Sequence, residues 1–123
     1  MSLADKLTLS PIKKISGIVK LPGSKSLSNR ILLLSMLAEG QTVIQNLLDS
    51  DDIRRMVEAL ETLGIQLEEN RAESRISVSG AAGNIPVSEA TLMLGNAGTA
   101  IRPLTAAMTL GHGRFVLDGI PRM

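Results

Sequence analysis

Two short segments hold the residue types that bind anions. The first is Leu21-Pro22-Gly23-Ser24-Lys25-Ser26-Leu27-Ser28-Asn29-Arg30, where a glycine and several hydroxyls stand at a predicted strand-to-helix turn. The first N–H groups of a helix have no internal partner and carry partial positive charge, so such an entrance attracts anions. Ser26 and Arg30 are four residues apart and share one helix face, with Lys25 beside them on the loop. A hydroxyl donor, a fork-shaped guanidinium and an ammonium would converge on one small volume. The simpler reading is that Ser24 caps the helix and leaves Lys25 and Arg30 in solvent. The Gly-x-x-x-x-Gly-Lys spacing of a nucleotide-triphosphate loop is absent.

The second segment is Leu94-Gly95-Asn96-Ala97-Gly98-Thr99-Ala100-Ile101-Arg102-Pro103-Leu104. Two glycines within four residues let backbone approach a ligand closely. Arg102 follows Thr99 by three residues, and Pro103 lacks an N–H, which costs nothing only in a first helical turn. The regular helix is therefore expected to start near Ala100, or to kink there. Asn96, Gly98 and Arg102 would crowd this second helix entrance. Two such entrances, each with its own arginine, imply a ligand carrying more than one anionic group. No nucleophile–base pair is visible. Most acidic residues read as a solvated face of a second helix, with Asp51 and Asp52 near an entrance that could face the same cleft. His112, between two glycines, reads as an exposed turn residue.

These loops need elements to hold them. Leu7–Ile12 and Gly17–Leu21 read as short strands. A helix over Ser24–Glu39 would carry an apolar stripe of Leu27, Ile31, Leu34 and Ala38, with Gly40 at its exit. Thr42–Asn46 reads as a strand. A helix from Asp49 would line up Ile53, Met56, Val57, Leu60 and Leu63 before Gly64, with its acidic first turn suited to the dipole. Strands are expected at Ile65–Glu69 and Arg75–Ser79, around a polar turn at Asn70–Ser74. A second round begins with a strand at Val87–Leu94, a helix to about Leu110 and a strand at Arg114–Leu117. The order is that of a mixed α/β (α+β) chain, with a unit that starts to repeat and then stops.

Composition removes other classes. Among 123 residues there is one aromatic, Phe115, so base-stacking platforms are missing and single-stranded nucleic-acid binding is not expected. Net charge is +1 with no polybasic block, which gives DNA or membrane-surface binding no support. The absence of cysteine removes disulfides, thiolate metal sites and cysteine nucleophiles, and fits a reducing compartment. The N-terminus lacks a basic-then-apolar pattern, so no signal peptide is expected. No apolar stretch reaches the roughly 20 residues of a bilayer span, so a soluble protein is expected.

Four blocks, the two above together with Asn46-Leu-Leu-Asp-Ser-Asp-Asp52 and Gly119-Ile-Pro-Arg-Met123, resemble in order those of the 5-enolpyruvylshikimate-3-phosphate (EPSP) synthase family, also called 3-phosphoshikimate 1-carboxyvinyltransferases. The resemblance runs from about Leu7 to Met123. It implies transfer of the enolpyruvyl group of phosphoenolpyruvate to the 5-hydroxyl of shikimate 3-phosphate with release of phosphate, a step toward aromatic amino acids. It implies addition and elimination without metal or organic cofactor, a cytoplasmic enzyme, and glyphosate as inhibitor. By position, Lys25 would contact both substrates and act catalytically, Ser26 and Arg30 would hold shikimate 3-phosphate, and Gly98, Asn96 and Arg102 would line the phosphoenolpyruvate site. Asp52 and Thr99 would support them.

The resemblance also implies an enolpyruvyl transferase fold of βαβαββ units in two domains. About one and a half units are present here. Residues 1–21 would pair with a missing C-terminal domain, 22–80 would complete the first unit and 81–123 would begin the second. Further active-site residues of the family lie beyond Met123, so this chain alone is expected to be inactive and to need the missing remainder. Ile101 stands where the family often has methionine, a volume-tolerant exchange. An inactive anion-binding or complementing fragment is the alternative. The related UDP-N-acetylglucosamine enolpyruvyl transferase matches the blocks less well, and a generic nucleotide-binding domain lacks its phosphate loop.

Overall fold

The computed structural model describes residues 6–123, and no helix among them is long and apolar enough to cross a membrane. Three helices and five strands follow one another as α1 (Lys25–Leu37), β1 (Glu39–Gln45), α2 (Asp51–Thr62), β2 (Gln66–Asn70), β3 (Arg75–Ala81), β4 (Glu89–Met93), α3 (Gly98–Met108) and β5 (Arg114–Asp118). The first sheet runs β1-β3-β2, with both outer strands antiparallel to β3, so β1 and β2 point the same way and α2 makes the crossover between them. The second sheet pairs β4 with β5 in parallel, joined through α3. A short 3-10 turn at Arg71–Glu73 occupies the expected polar turn between β2 and β3.

Helix α2 follows the sequence pattern. Ile53, Met56 and Leu60 are buried, Leu63 is fully buried, and Gly64 adopts a positive φ of 85°. The Gly64 N–H donates to the Glu61 carbonyl and the Ile65 N–H to Leu60, so two otherwise orphaned carbonyls are satisfied at the helix end. One apolar cluster joins α1, α2, α3 and both sheets, with Leu32, Met36, Met56, Leu60, Ile76, Leu92, Leu94 and Leu104 among its fully buried members. Aliphatic and methionine side chains fill it.

Helix α1 departs from expectation. Leu27 and Leu34, half of the expected apolar stripe, are exposed, while Ser28, Asn29, Leu32, Leu33, Ser35 and Met36 are buried. The polar members can face inward because each has a partner. Ser35 Oγ donates to the Ile31 carbonyl, Ser28 Oγ accepts from the Leu48 N–H, and Asn29 Nδ2 donates to Thr99 Oγ1. Small residues also let α1 settle close to β3. A Cβ on Gly80 would overlap the Ala38 carbonyl oxygen and come within 2.6 Å of that of Ser35. Gly40 is not the helix exit; it lies in β1, and Ala38 caps α1 in an extended conformation.

The strands expected at Leu7–Ile12 and Gly17–Leu21 are not formed. From Lys6 to Ser24 the chain carries no helix or strand, and Leu7, Leu9, Ile12, Ile15, Ile18, Val19 and Leu21 are each at least three-quarters exposed. A strand needs an edge to pair with, and no edge of either sheet takes this segment. The Met1–Asp5 part of the N-terminal expectation lies outside the described residues.

The close approach of α1 to β3 yields a prediction. Gly80→Val should lower stability by about 1–3 kcal/mol, the usual cost of overpacking, read as an earlier urea midpoint. An unchanged midpoint would show that the helix does not sit this close.

Candidate anion-binding site

Helix α1 begins at Lys25 because Ser24, extended at φ −76° and ψ 126°, accepts a hydrogen bond from the Leu27 N–H at 3.4 Å. The preceding Gly23 packs on the chain between β1 and α2. A Cβ there would overlap the Asn46 carbonyl oxygen and lie 3.0 Å from the Leu48 nitrogen. Only glycine lets the first loop lie against this connection, whose own bend is made by Asn46 at φ 57°. The connection then leads directly into α2, with Asp51 and Asp52 in its first turn.

The second loop leaves β4 at Leu94, turns through Gly95 at φ 60° and enters α3 at Gly98. Its turn is closed by hydrogen bonds from the Ala97 N–H to Leu94 and from the Gly98 N–H to Asn96. The segment after β5 holds it from the other side, as the Ile120 N–H donates to the Gly95 carbonyl. Helix α3 starts two residues before the expected Ala100, and Pro103 falls inside it. Pro103 has no N–H to offer the Thr99 carbonyl, so one rung of the helical ladder is absent there.

The first turns of the three helices meet. Lys25 Nζ lies 3.1 Å from Asp52 Oδ2, Thr99 Oγ1 donates to the same Asp52 oxygen at 3.0 Å, and Asn29 Nδ2 donates to Thr99 Oγ1 at 2.8 Å. The Asp52 carboxylate thus sits where three helix N-termini converge, with an ammonium and a hydroxyl pointed at it. Lys25 and Asp52 are 49% and 20% exposed. An ion pair this open adds at most about 1 kcal/mol of stability, so its main physical effect is to aim the lysine.

The remaining expected residues lie next to members of this cluster along the chain. Ser26 is exposed beside Lys25, Arg30 is exposed one residue after Asn29, and Asn96 is exposed on the second loop. Arg102 folds back so that its Nε donates to the Gly98 carbonyl at 3.2 Å. A Cβ on Gly98 would lie 3.5 Å from Arg102 Nη2, an ordinary contact, so the helix itself leaves room there. Among the described residues neither Arg30 nor Arg102 forms an ion pair.

A pocket of about 300 Å³ between α2 and the β2–β3 turn makes a useful contrast. It contains none of the expected site residues, and its cations are already engaged. Arg54 makes a two-pronged pair with Asp49, and Arg71 donates to Glu69 at 2.9 Å, a bond that pushes the Arg71 pKa further up. At the paired loops, by contrast, Arg30 and Arg102 have no carboxylate partner among the described residues.

Two residues of consequence carried no assigned role in the sequence. Asn29 is fully buried at the centre of the cluster, and a polar amide in a leucine-rich helix was the available signal. Arg55 of α2 lies under the second loop, its Nε 3.2 Å from where a Gly95 Cβ would stand, with its far end paired to Glu58. Nothing in the local spacing pointed to it.

The four sequence blocks are therefore one contact network: Gly23 on Asn46, Lys25 on Asp52, Asp52 on Thr99, and Gly95 on Ile120. Comparison with known proteins agrees. A sequence model of EPSP synthase (3-phosphoshikimate 1-carboxyvinyltransferase) matches residues 9–123. The chain is 59% identical over 125 residues to the chloroplastic 3-phosphoshikimate 1-carboxyvinyltransferase of Solanum lycopersicum, covering 96% of this chain and 24% of that protein. It is 54% identical over 119 residues to the enzyme of that name from Ralstonia nicotianae, covering 97% and 27%. A solved EPSP synthase from Acinetobacter baumannii superposes with a TM-score of 0.73 at 26% identity, over 86% of this chain and 24% of that one. The chain thus spans about a quarter of the length of these relatives. With the enolpyruvyl transferase fold matched and the blocks joined around one cluster, the chain belongs to the EPSP synthase family.

Proposed function

We propose that this segment supplies one wall of an active site that transfers the enolpyruvyl group of phosphoenolpyruvate to the 5-hydroxyl of shikimate 3-phosphate. The observation that carries the reading is the meeting of three helix N-termini at Lys25, Asp52 and Thr99, on helices that also carry Arg30 and Arg102, neither with an ion-pair partner among the described residues. Such a surface suits substrates that together bring two phosphates and two carboxylates. Family names and 54–59% identity to named enzymes support the same substrates.

Residue roles follow from chemistry and position. Arg30 and Ser26 hold shikimate 3-phosphate, while Arg102, Asn96 and the Gly98 backbone receive phosphoenolpyruvate. Lys25 lies between the two loops and contacts both substrates. The reaction adds the 5-oxygen to C2 of phosphoenolpyruvate as the 5-hydroxyl gives up its proton, and a proton adds to C3. Loss of a C3 proton and of phosphate then restores the double bond. Fixed cations stabilise charge on the phosphate and carboxylate through the tetrahedral intermediate, and Lys25 also passes a proton. Glyphosate, an anion of similar size, would occupy the phosphoenolpyruvate side. A cytoplasmic location belongs to this proposal too, and cell fractionation checks it.

The active species includes a C-terminal remainder. The exposed apolar residues of Leu7–Leu21 and the outward Leu27 and Leu34 support such a partner, since contiguous apolar surface favours docking. The 123-residue chain alone should release no phosphate from the two substrates, and measurable release would contradict the proposal. It should still bind shikimate 3-phosphate weakly by calorimetric titration, and Arg30→Ala should abolish that heat. Binding indifferent to Arg30 would remove the assigned role. Gly98→Ala in an enzyme of full family length should fold normally yet raise the KM for phosphoenolpyruvate at least about tenfold, because the new methyl stands beside Arg102. An unchanged KM would place phosphoenolpyruvate elsewhere.

A further inference from the structure

Asn29 is wholly buried, and its Oδ1 has no hydrogen-bond partner among the described residues. An unsatisfied buried acceptor costs more free energy than the single bond its Nδ2 makes returns. As a device for stability, the amide is a poor choice for this position. A leucine has the same branched outline and would bury no unpaired oxygen.

Its geometry points to a different use. Thr99 has one hydroxyl proton, and at 3.0 Å from Asp52 Oδ2 that proton is best given to the carboxylate. The threonine oxygen then has only lone pairs to offer Asn29, and the amide must present its Nδ2, as observed at 2.8 Å. Asn29 thereby blocks the rotation in which Thr99 would turn its proton inward. The bonds run in one direction, from Asn29 to Thr99 to Asp52, and the carboxylate they orient faces Lys25 at 3.1 Å. Three helices contribute one link each, so the chain of bonds also fixes α1 at Asn29 against the first turn of α3.

We propose that Asn29 is a positioning residue for Lys25, acting through the Thr99 hydroxyl and the Asp52 carboxylate. It touches no substrate. Its contribution to catalysis rests on the reading of Lys25 as the residue between the two substrates, but its action on Lys25 does not.

The test separates these two. In the 123-residue chain without ligand, NMR relaxation at the Lys25 Cε carbon reports the order of the side chain. Asn29→Leu and Thr99→Val should each lower that order toward that of Lys20, an exposed lysine with no ion pair among the described residues. Thr99→Ser, which keeps the hydroxyl, should restore most of it, and the double variant should fall no lower than the worse single one. Thermal midpoints should not track the loss of order. Order that stays unchanged in both variants overturns the proposal, as does order lost only in proportion to stability. In an enzyme of full family length, Asn29→Leu should lower kcat/KM by about tenfold to a hundredfold and should have no further effect once Lys25 is alanine. An equal fall with and without Lys25 also overturns it. If Lys25→Ala leaves phosphate release intact while the order results hold, the substrate assignment fails and the positioning role stands.

Discussion

The Asp52 carboxylate and the groups gathered on it are the constraint on which the rest of the structure depends. Three helices start within reach of this one side chain, and each brings a donor or a dipole to it. A carboxylate alone among those N-termini would simply neutralise them. Bonded to Thr99 and facing a half-exposed Lys25, it instead holds a cation at the surface. Arg30 and Arg102, which have no acidic partner among the described residues, are left to carry the positive field outward.

The scaffold serves this arrangement through close backbone approaches. Gly23 against Asn46 and Gly80 against Ala38 bring loop and helix nearer than any side chain would allow. The Gly95 turn, held by Ile120, fixes where α3 begins. The core behind these contacts is aliphatic and continuous across both sheets, which gives the three helix entrances a common rigid support.

Much of this was legible in the residue order, for physical reasons that differ by element. Helix α2 was clear because its buried stripe, acidic first turn and terminal glycine all agree with one another. The spacing showed Lys25, Gly98 and Arg102 standing at two glycine-containing helix entrances, whereas Asp52 and Thr99 were singled out by the family resemblance, because their contact joins segments 47 residues apart. Helix α1 was misread on its inner face. Periodicity favoured the leucines, whereas burial went to Ser28, Asn29 and Ser35, whose hydrogen-bond partners lie on other elements or one turn away. A tertiary partner cannot be seen in a local pattern. The strands read at Leu7–Ile12 and Gly17–Leu21 do not form on this chain alone, since alternation signals a strand while its pairing edge was expected on a C-terminal domain.

Central to the proposed function is a single surface for a phosphorylated substrate, formed by the paired loops. Backbone amide NMR of the chain titrated with shikimate 3-phosphate tests it most directly. Shifts confined to residues 23–30 and 96–102, with the Asp52 amide moving alongside, are the predicted result. Shifts centred instead on the pocket at Arg54, Arg71 and Arg75, or spread evenly over the surface, would contradict it.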